Sequence, residues 1–103
     1  METGTTFRQR ADELDARLRE RLPALATEIR REDRGDHAVT WRHGTAWGTL
    51  VLHETDEPHR LSLLLYKAGG TDEQDVVEVT IDEADVIGVL ADPLVGLFMG
   101  RVA

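Results

Sequence analysis

The fold of this chain is decided by residues 37–81, HAVTWRHGTAWGTLVLHETDEPHRLSLLLYKAGGTDEQDVVEVTI. Apolar and polar side chains alternate along most of this stretch, and three groups of turn-forming residues interrupt the alternation. Successive residues of a strand point to opposite faces of a sheet, so this period of two indicates half-buried strands. The stretch therefore predicts a four-stranded antiparallel meander with one apolar face.

The first hairpin has the clearest turn. Gly44 can supply the positive φ that a tight turn requires, so we place the turn at Gly44–Thr45. Trp41 then lies opposite Gly48, where its ring covers a position that has no side chain. On the other face, Arg42 lies opposite Trp47, within reach of a cation–π contact.

The second turn falls at residues 55–58, and residues 68–72 form a loop before the fourth strand, which runs to Ile81. We expect Trp41, Leu50, Leu63 and Val79 to lie on the face that the helices cover. A tight second turn gives the following cross-strand pairs: Leu52 with Leu63, Leu50 with Leu65, Val51 with Leu64, and Thr49 with Tyr66.

A long N-terminal helix is predicted over residues 6–34. Thr6 and Gln9 have the spacing of a capping box, and Gly35 has the place of a C-terminal stop. Pro23 lacks the N–H of a helix interior, so we expect a break at residues 21–24. Packing on the sheet is favoured over a coiled coil for the apolar stripe, which consists of Phe7, Ala11, Leu14, Leu18, Leu22, Leu25 and Ile29.

A C-terminal helical segment is predicted over residues 82–102. Residues 82–85 resemble a helix cap, and Asp92–Pro93 has the form of a second start. The segment after Pro93 is apolar nearly all round, which indicates burial by its own domain or by a partner. The predicted fold is therefore a single α+β domain over residues 1–103, with both helical parts on one face of the sheet.

Composition excludes several classes of function. The formal net charge of −8 disfavours binding to nucleic acid, since such binding normally depends on a basic patch. The absence of cysteine excludes disulfides and thiolate chemistry. No apolar run reaches the roughly 20 residues that span a bilayer, and residues 7–21 are charged where a secretory segment would be apolar. We therefore predict a cytoplasmic protein with no membrane partner.

No motif predicts catalysis or a bound group. The four histidines, at positions 37, 43, 53 and 59, lack the spacing of a metal site. Ser62 is the only serine and is placed inside a strand, and Gly69–Gly70 is not followed by a helix that could bind phosphate. We predict no catalytic residue, no metal and no cofactor, and we favour a protein that is not an enzyme.

The face of the sheet opposite the helices is the candidate functional surface. The two helical parts can cover only one face, and nothing else in the chain remains for the other. A half-wet face with scattered apolar residues is one interpretation. The favoured one is an interface, most simply with a second copy, and its candidate residues are Trp47, Val51, Leu64, Tyr66, Val76 and Arg42.

The sequence thus favours a small acidic binding, adaptor or chaperone-like protein that forms a homodimer and binds a protein partner. The alternative class is a small-molecule binding protein, or an enzyme, with a pocket between the sheet and the helices. A dimer could also use the apolar C-terminal segment instead of the open sheet face.

Overall fold

The computed structural model describes residues 3–53, 59–66 and 74–100. Five strands form one antiparallel sheet in chain order, and both helices pack on one of its faces, the inner face. The predicted α+β architecture is confirmed, with one strand more than expected. The elements are α1 (Thr3–Arg21), β1 (Arg30–Arg34), β2 (Ala38–His43), β3 (Ala46–His53), β4 (Arg60–Tyr66), β5 (Gln74–Thr80) and α2 (Val86–Phe98).

The N-terminal helix is shorter than the sequence predicts. It begins at Thr3, ahead of the predicted cap at Thr6, and it ends at Arg21. The predicted break at Pro23 is confirmed, but the helix does not restart after it. The chain turns through residues 22–29, where the N–H groups of Glu28 and Ile29 both donate to the Leu25 carbonyl.

The prediction of helix over residues 30–34 is wrong, because this segment is the edge strand β1. Its residues RREDR show no apolar alternation, so only the backbone pairing with β2 defines the strand. Gly35 has a φ of 70° and forms the β1–β2 turn instead of ending a helix. On the inner face, the Arg31 guanidinium lies 2.9 Å from an Asp12 carboxylate oxygen and so joins β1 to α1.

The register of the first predicted hairpin is confirmed. Gly44 has a φ of 63°, Trp41 is paired with Gly48, and Arg42 with Trp47. Trp41 is fully buried. A Cβ atom placed on Gly48 would lie 2.6 Å from Cδ2 of Leu94, which is itself fully buried in α2. Glycine is therefore required at position 48 because α2 packs directly against the sheet there.

The predicted register between β3 and β4 is wrong by two residues, since the ladder ends with His53 paired with Arg60. The predicted turn at residues 55–58 and the predicted loop at residues 68–72 lie outside the described residues. A shift of two residues leaves every side chain on its predicted face, since the strand period is two. Trp41, Leu50, Leu63 and Val79 accordingly lie on the inner face, where the first three are fully buried and Val79 is half-buried. The observed pairs are Leu50 with Leu63, Leu52 with Leu61, Thr49 with Leu64, Val51 with Ser62, and Trp47 with Tyr66.

The C-terminal helix α2 is continuous through Pro93, so the predicted second start at Asp92 is wrong. Val89, whose carbonyl cannot receive the missing proline N–H, lies on the exposed side of the helix. Asp85 is the N-cap residue, without a side-chain cap hydrogen bond. Neither helix, as far as the described residues extend, is long and apolar enough to cross a membrane. Most of the apolar side chains of α2 are buried within this domain: Val86, Leu90, Ala91, Leu94, Val95, Leu97 and Phe98.

Ion pairs connect the elements around the edge of the core. Arg21 of α1 pairs with Asp92 of α2, and Arg8 of α1 pairs with Asp36 in the β1–β2 turn. The hydrogen bond from Arg8 and its positive charge lower the pKa of Asp36. Both pairs are well exposed, so we expect them to orient the elements rather than to contribute much stability.

Leu63→Ala tests which face forms the core. It should lower the free energy of unfolding by about 2–5 kcal/mol, from the lost transfer energy plus the cavity that remains. Leu64→Ala, on the next residue but the opposite face, is the matched control and should cost less than half as much. Urea melts at low protein concentration measure both, and a loss below about 0.5 kcal/mol for Leu63→Ala would contradict the face assignment.

Gly48→Ala tests the contact between α2 and the sheet. It should destabilise the protein by about 1–3 kcal/mol, because the new methyl group meets Leu94. The double variant Gly48→Ala with Leu94→Ala should be more stable than the sum of the two single losses predicts. Strictly additive losses in urea melts would show that the two positions do not touch.

Candidate interaction surface

The face of the sheet opposite the helices, here called the outer face, is the candidate functional surface. The registers arrange its side chains in rows across the strands, one of which consists of His53, Arg60 and Thr80. Three longer rows lie beside it. From β1 towards β5 the rows are Arg30, Arg42, Trp47 and Tyr66; Glu32, Thr40, Thr49, Leu64 and Val76; and Arg34, Ala38, Val51, Ser62 and Glu78.

The first row contains a stack of a cation and two rings. Trp47 and Tyr66 are directly paired, with ring centroids 3.7 Å apart and ring planes at 12°. The guanidinium carbon of Arg42 lies 5.6 Å from the centre of the Trp47 ring, as the hairpin register predicts. Since Arg42 and Tyr66 lie on the strands to either side, Trp47 is held between them. The wrong register between β3 and β4 concealed the contact with Tyr66 at the sequence level.

Polar side chains at the centre of the outer face bind one another. The hydroxyl oxygens of Thr40 and Thr49 are 2.9 Å apart, and the Ser62 hydroxyl lies 2.7 Å from Nε2 of His53. Thr40 is 2% exposed and Ser62 is 5% exposed, although no helix covers this face. A partner that covered these groups would leave no unpaired hydroxyl behind, so their burial would cost little.

Apolar side chains fill the space beside the aromatic stack. Leu64 and Val76 are paired in the second row, and Val51 lies diagonally across from Leu64. Val51 and Leu64 are half-buried, whereas Val76 is 49% exposed. The structure therefore brings all six predicted interface residues onto one face. Their role as an interface stays a prediction.

Charged side chains border this apolar area on the β1 side. The Nε atom of Arg42 and a guanidinium nitrogen of Arg34 each lie 3.5 Å from a carboxylate oxygen of Glu32. On the opposite side Arg60 lies 3.2 Å from Glu78. The β1 border is a feature that the sequence reasoning missed, because it assigned residues 30–34 to a helix.

The space between sheet and helices is filled by side chains, with Phe7, Leu14 and Trp41 fully buried there. The clefts that the structure describes lie at the edge of the fold instead. One, of about 270 Å³, lies between α1 and the start of α2. The larger, of about 480 Å³, is lined by Thr27, Glu28, Arg30, Arg42 and Gly44.

The larger cleft shows little chemistry of an active site. Glu28 lies 3.0 Å from Nε2 of His43 and Arg42 interacts with Glu32, so charges of both signs are already paired there. Its lining includes two arginines but no serine, cysteine or histidine. Across residues 3–53, 59–66 and 74–100, no three potential metal ligands come together.

Comparison with other proteins adds no family or function. No protein-family model, curated protein or solved structure matches this chain. A function can therefore be inferred only from the geometry of the outer face.

A double-mutant cycle tests the aromatic stack. Trp47→Leu and Tyr66→Leu, alone and together, should show a coupling energy of about 0.5–1.5 kcal/mol in urea melts of the monomer. The coupling arises because each ring loses its stacking partner in the single variants. A coupling energy within about 0.3 kcal/mol of zero would show that the rings do not interact in solution.

Proposed function

We propose that this protein is a non-enzymatic binding protein, of an adaptor or chaperone-like kind, and that it works as a cytoplasmic homodimer. A second copy covers the outer face of the sheet around a two-fold axis. The observation that carries the proposal is the cluster of Trp47, Tyr66, Leu64, Val51 and Val76 on a sheet face that the chain's own helices leave open.

The composition of the outer face suits a protein interface. Tryptophan, tyrosine and arginine dominate the binding energy of most interfaces, and here all three form one stack. Apolar and hydroxyl side chains lie inside a border that is charged on the β1 side and at Arg60 and Glu78, which resembles the usual arrangement of core and rim. The hydroxyl groups at the centre already have partners within the sheet.

The size of the outer face predicts how tight the dimer is. Five strands at about 4.8 Å and seven residues at about 3.3 Å give a face of roughly 24 by 23 Å. Covering it buries about 550 Å² on each copy, or about 1,100 Å² in total. Specific interfaces begin at about that size. We therefore expect a reversible dimer with a dissociation constant in the micromolar range rather than an obligate one.

Two other surfaces rank lower. The apolar side chains of the C-terminal helix are mostly buried in the core of this domain. Val89 in the helix and Met99 at its C-cap are exposed. The alternative class, a small-molecule binding protein or an enzyme, would have to use the cleft beside Arg30 and Arg42. The lining of that cleft offers two arginines that could bind an anion and one hydroxyl group, that of Thr27.

Nucleic acid also fits the outer face poorly. Base stacking needs an open ring face, and Trp47 already lies between Arg42 and Tyr66. The net charge of −8 opposes the approach of a phosphate backbone.

Sedimentation equilibrium across a range of about 1–200 µM tests the proposal, since this range brackets a micromolar dissociation constant. The wild type should show a monomer–dimer equilibrium. Trp47→Ala combined with Leu64→Ser should weaken it by at least about tenfold, through loss of an anchor and of apolar contact. The matched control, Val89→Ser with Met99→Ser, removes one exposed apolar side chain from α2 and one from its C-cap, and should leave the equilibrium unchanged.

Circular dichroism and urea melts of each variant confirm that the fold is retained. A wild type that stays monomeric throughout this range would contradict the dimer. If only the α2 control weakens the dimer, the interface lies on the C-terminal helix instead.

A further inference from the structure

The free edge of β5 presents unpaired backbone groups. β5 is the last strand of the sheet, and no strand in the described part of the chain lies beyond it. The N–H of Ile81 donates to the His59 carbonyl at 3.0 Å, which marks a hydrogen-bonded pair at the end of the β4–β5 ladder. Such pairs alternate along an antiparallel ladder. Val77 and Val79 therefore bond to β4, and the backbone groups of Val76 and Glu78 point away from the sheet.

A hydrogen bond on the other side of the sheet leads to the same assignment. The N–H of Leu52 donates to the His37 carbonyl at 2.8 Å, which fixes the alternation between β2 and β3. The registers carry this alternation across β3 and β4. The backbone groups of Val77 again point towards Leu63 of β4, and those of Val76 point outwards. Two independent hydrogen bonds thus agree on which groups the edge exposes.

The two edges of the sheet differ in how they are protected. Proteins commonly protect a free edge by keeping it short and charged. β1 has five residues, and all of them are charged. β5 carries Val76, which is 49% exposed on the outer face, and Val77 and Val79, which are only half-buried on the inner face. A further strand along β5 would cover valines on both faces.

Charge is distributed unevenly along the chain, and the acidic excess lies in the segment that contains β5. Two basic side chains from other elements reach this segment: Arg60 pairs with Glu78, and Arg10 donates to the Ile81 carbonyl. Residues 68–100 contain eight of the twenty acidic residues and none of the twelve basic ones. The rest of the chain has equal numbers of both, so this segment carries the whole net charge of −8. Within it, Asp82, Glu83 and Asp85 are exposed immediately after β5. Two copies of this edge would repel each other, whereas a basic strand would be attracted.

We propose that the free edge of β5 accepts an extended, basic segment of a partner protein as a sixth strand. Main-chain hydrogen bonds to Val76 and Glu78 would provide affinity, as in other cases of strand addition. Aliphatic side chains at alternate positions of the segment would lie on the inner face, beside Val77 and Val79. Lysine or arginine between them would lie close to Glu78 and to the acidic turn at residues 82–85.

The added strand has a defined end. The Thr80 carbonyl accepts the N–H of Glu83 at 3.0 Å, so the backbone of β5 is already engaged there. The segment therefore pairs along residues 74–80 and stops at the acidic turn. This site uses the backbone groups of Val76 and Glu78 at the strand edge, whereas the proposed dimer uses side chains of the outer face. The two sites are therefore adjacent, and the experiments below test them separately.

A synthetic peptide of alternating lysine and valine, seven residues long, serves as the probe. Its binding to the full chain is measured by calorimetry. A second peptide has the same sequence but N-methyl groups on the backbone nitrogens of one edge, so it keeps the charge and loses the donors. The plain peptide should bind, and the methylated one should bind at least about tenfold more weakly. An alternating glutamate–valine peptide should not bind.

Protein variants distinguish the contribution of backbone hydrogen bonds to peptide binding from the contribution of charge. Glu78→Pro and Glu78→Gln both remove the carboxylate, but only proline removes the outward N–H. Glu78→Pro should lower the affinity for the plain peptide at least about tenfold more than Glu78→Gln does. Val79→Pro, one residue on, removes an N–H directed at β4 and should instead lower the unfolding midpoint. Glu78→Gln leaves the stack of Trp47 and Tyr66 unchanged, and sedimentation of this variant measures whether the loss of a border carboxylate affects the dimer.

Several outcomes would overturn the proposal. Equal binding of the plain and methylated peptides would show electrostatic attraction without strand pairing, and absence of binding by the plain peptide would remove the site. Hydrogen exchange supplies a readout that does not depend on any variant: the plain peptide should protect the amides of Val76 and Glu78. If those amides become protected with rising protein concentration in the absence of peptide, the edge belongs to a second copy instead.

Discussion

The hydrogen bond between the Trp41 indole and Asp15 determines how the two layers of this protein meet. Trp41 is fully buried on the inner face, and its Nε1 donates to the Asp15 carboxylate of α1 at 3.0 Å. Arg19 donates to the same carboxylate at 3.1 Å and also to the carbonyls of Ala26 and Ile29. One side-chain network therefore fixes α1, the turn that follows it and the second strand. A buried indole N–H without such a partner would be costly.

The open outer face follows from that arrangement. α1 is held against Trp41 on the inner face, and α2 packs beside it where Gly48 leaves room for Leu94. Both apolar helix surfaces are thus used on one side of the sheet. The other side keeps the stack built around Trp47, and no helix or strand of residues 3–53, 59–66 and 74–100 covers it. The interface that we propose therefore follows from the topology, because both helices pack on the same face of the sheet.

Local signals in the sequence predicted the hairpin around Gly44 and the faces of the strands, because side-chain alternation and positive φ act over a few residues. β1 escaped prediction because five consecutive charged residues carry no pattern, and only pairing with β2 makes them a strand. The alternation in β3 and β4 fits both the predicted and the observed register, because a shift of two residues keeps each side chain on its face. The error of two residues kept Leu64 on the outer face but hid the stack of Trp47 on Tyr66.

A meeting of two copies at the outer face can be observed directly by isotope-filtered NMR. A sample mixing ¹³C-labelled and unlabelled chains, at a concentration where the dimer dominates, reports only contacts between copies. Such contacts should link the methyl groups of Leu64 and Val51 with the ring of Trp47 in the other copy. Two results would contradict this: intermolecular contacts confined to Val89 of α2 and its C-cap residue Met99, or no intermolecular contact to any residue of the outer face.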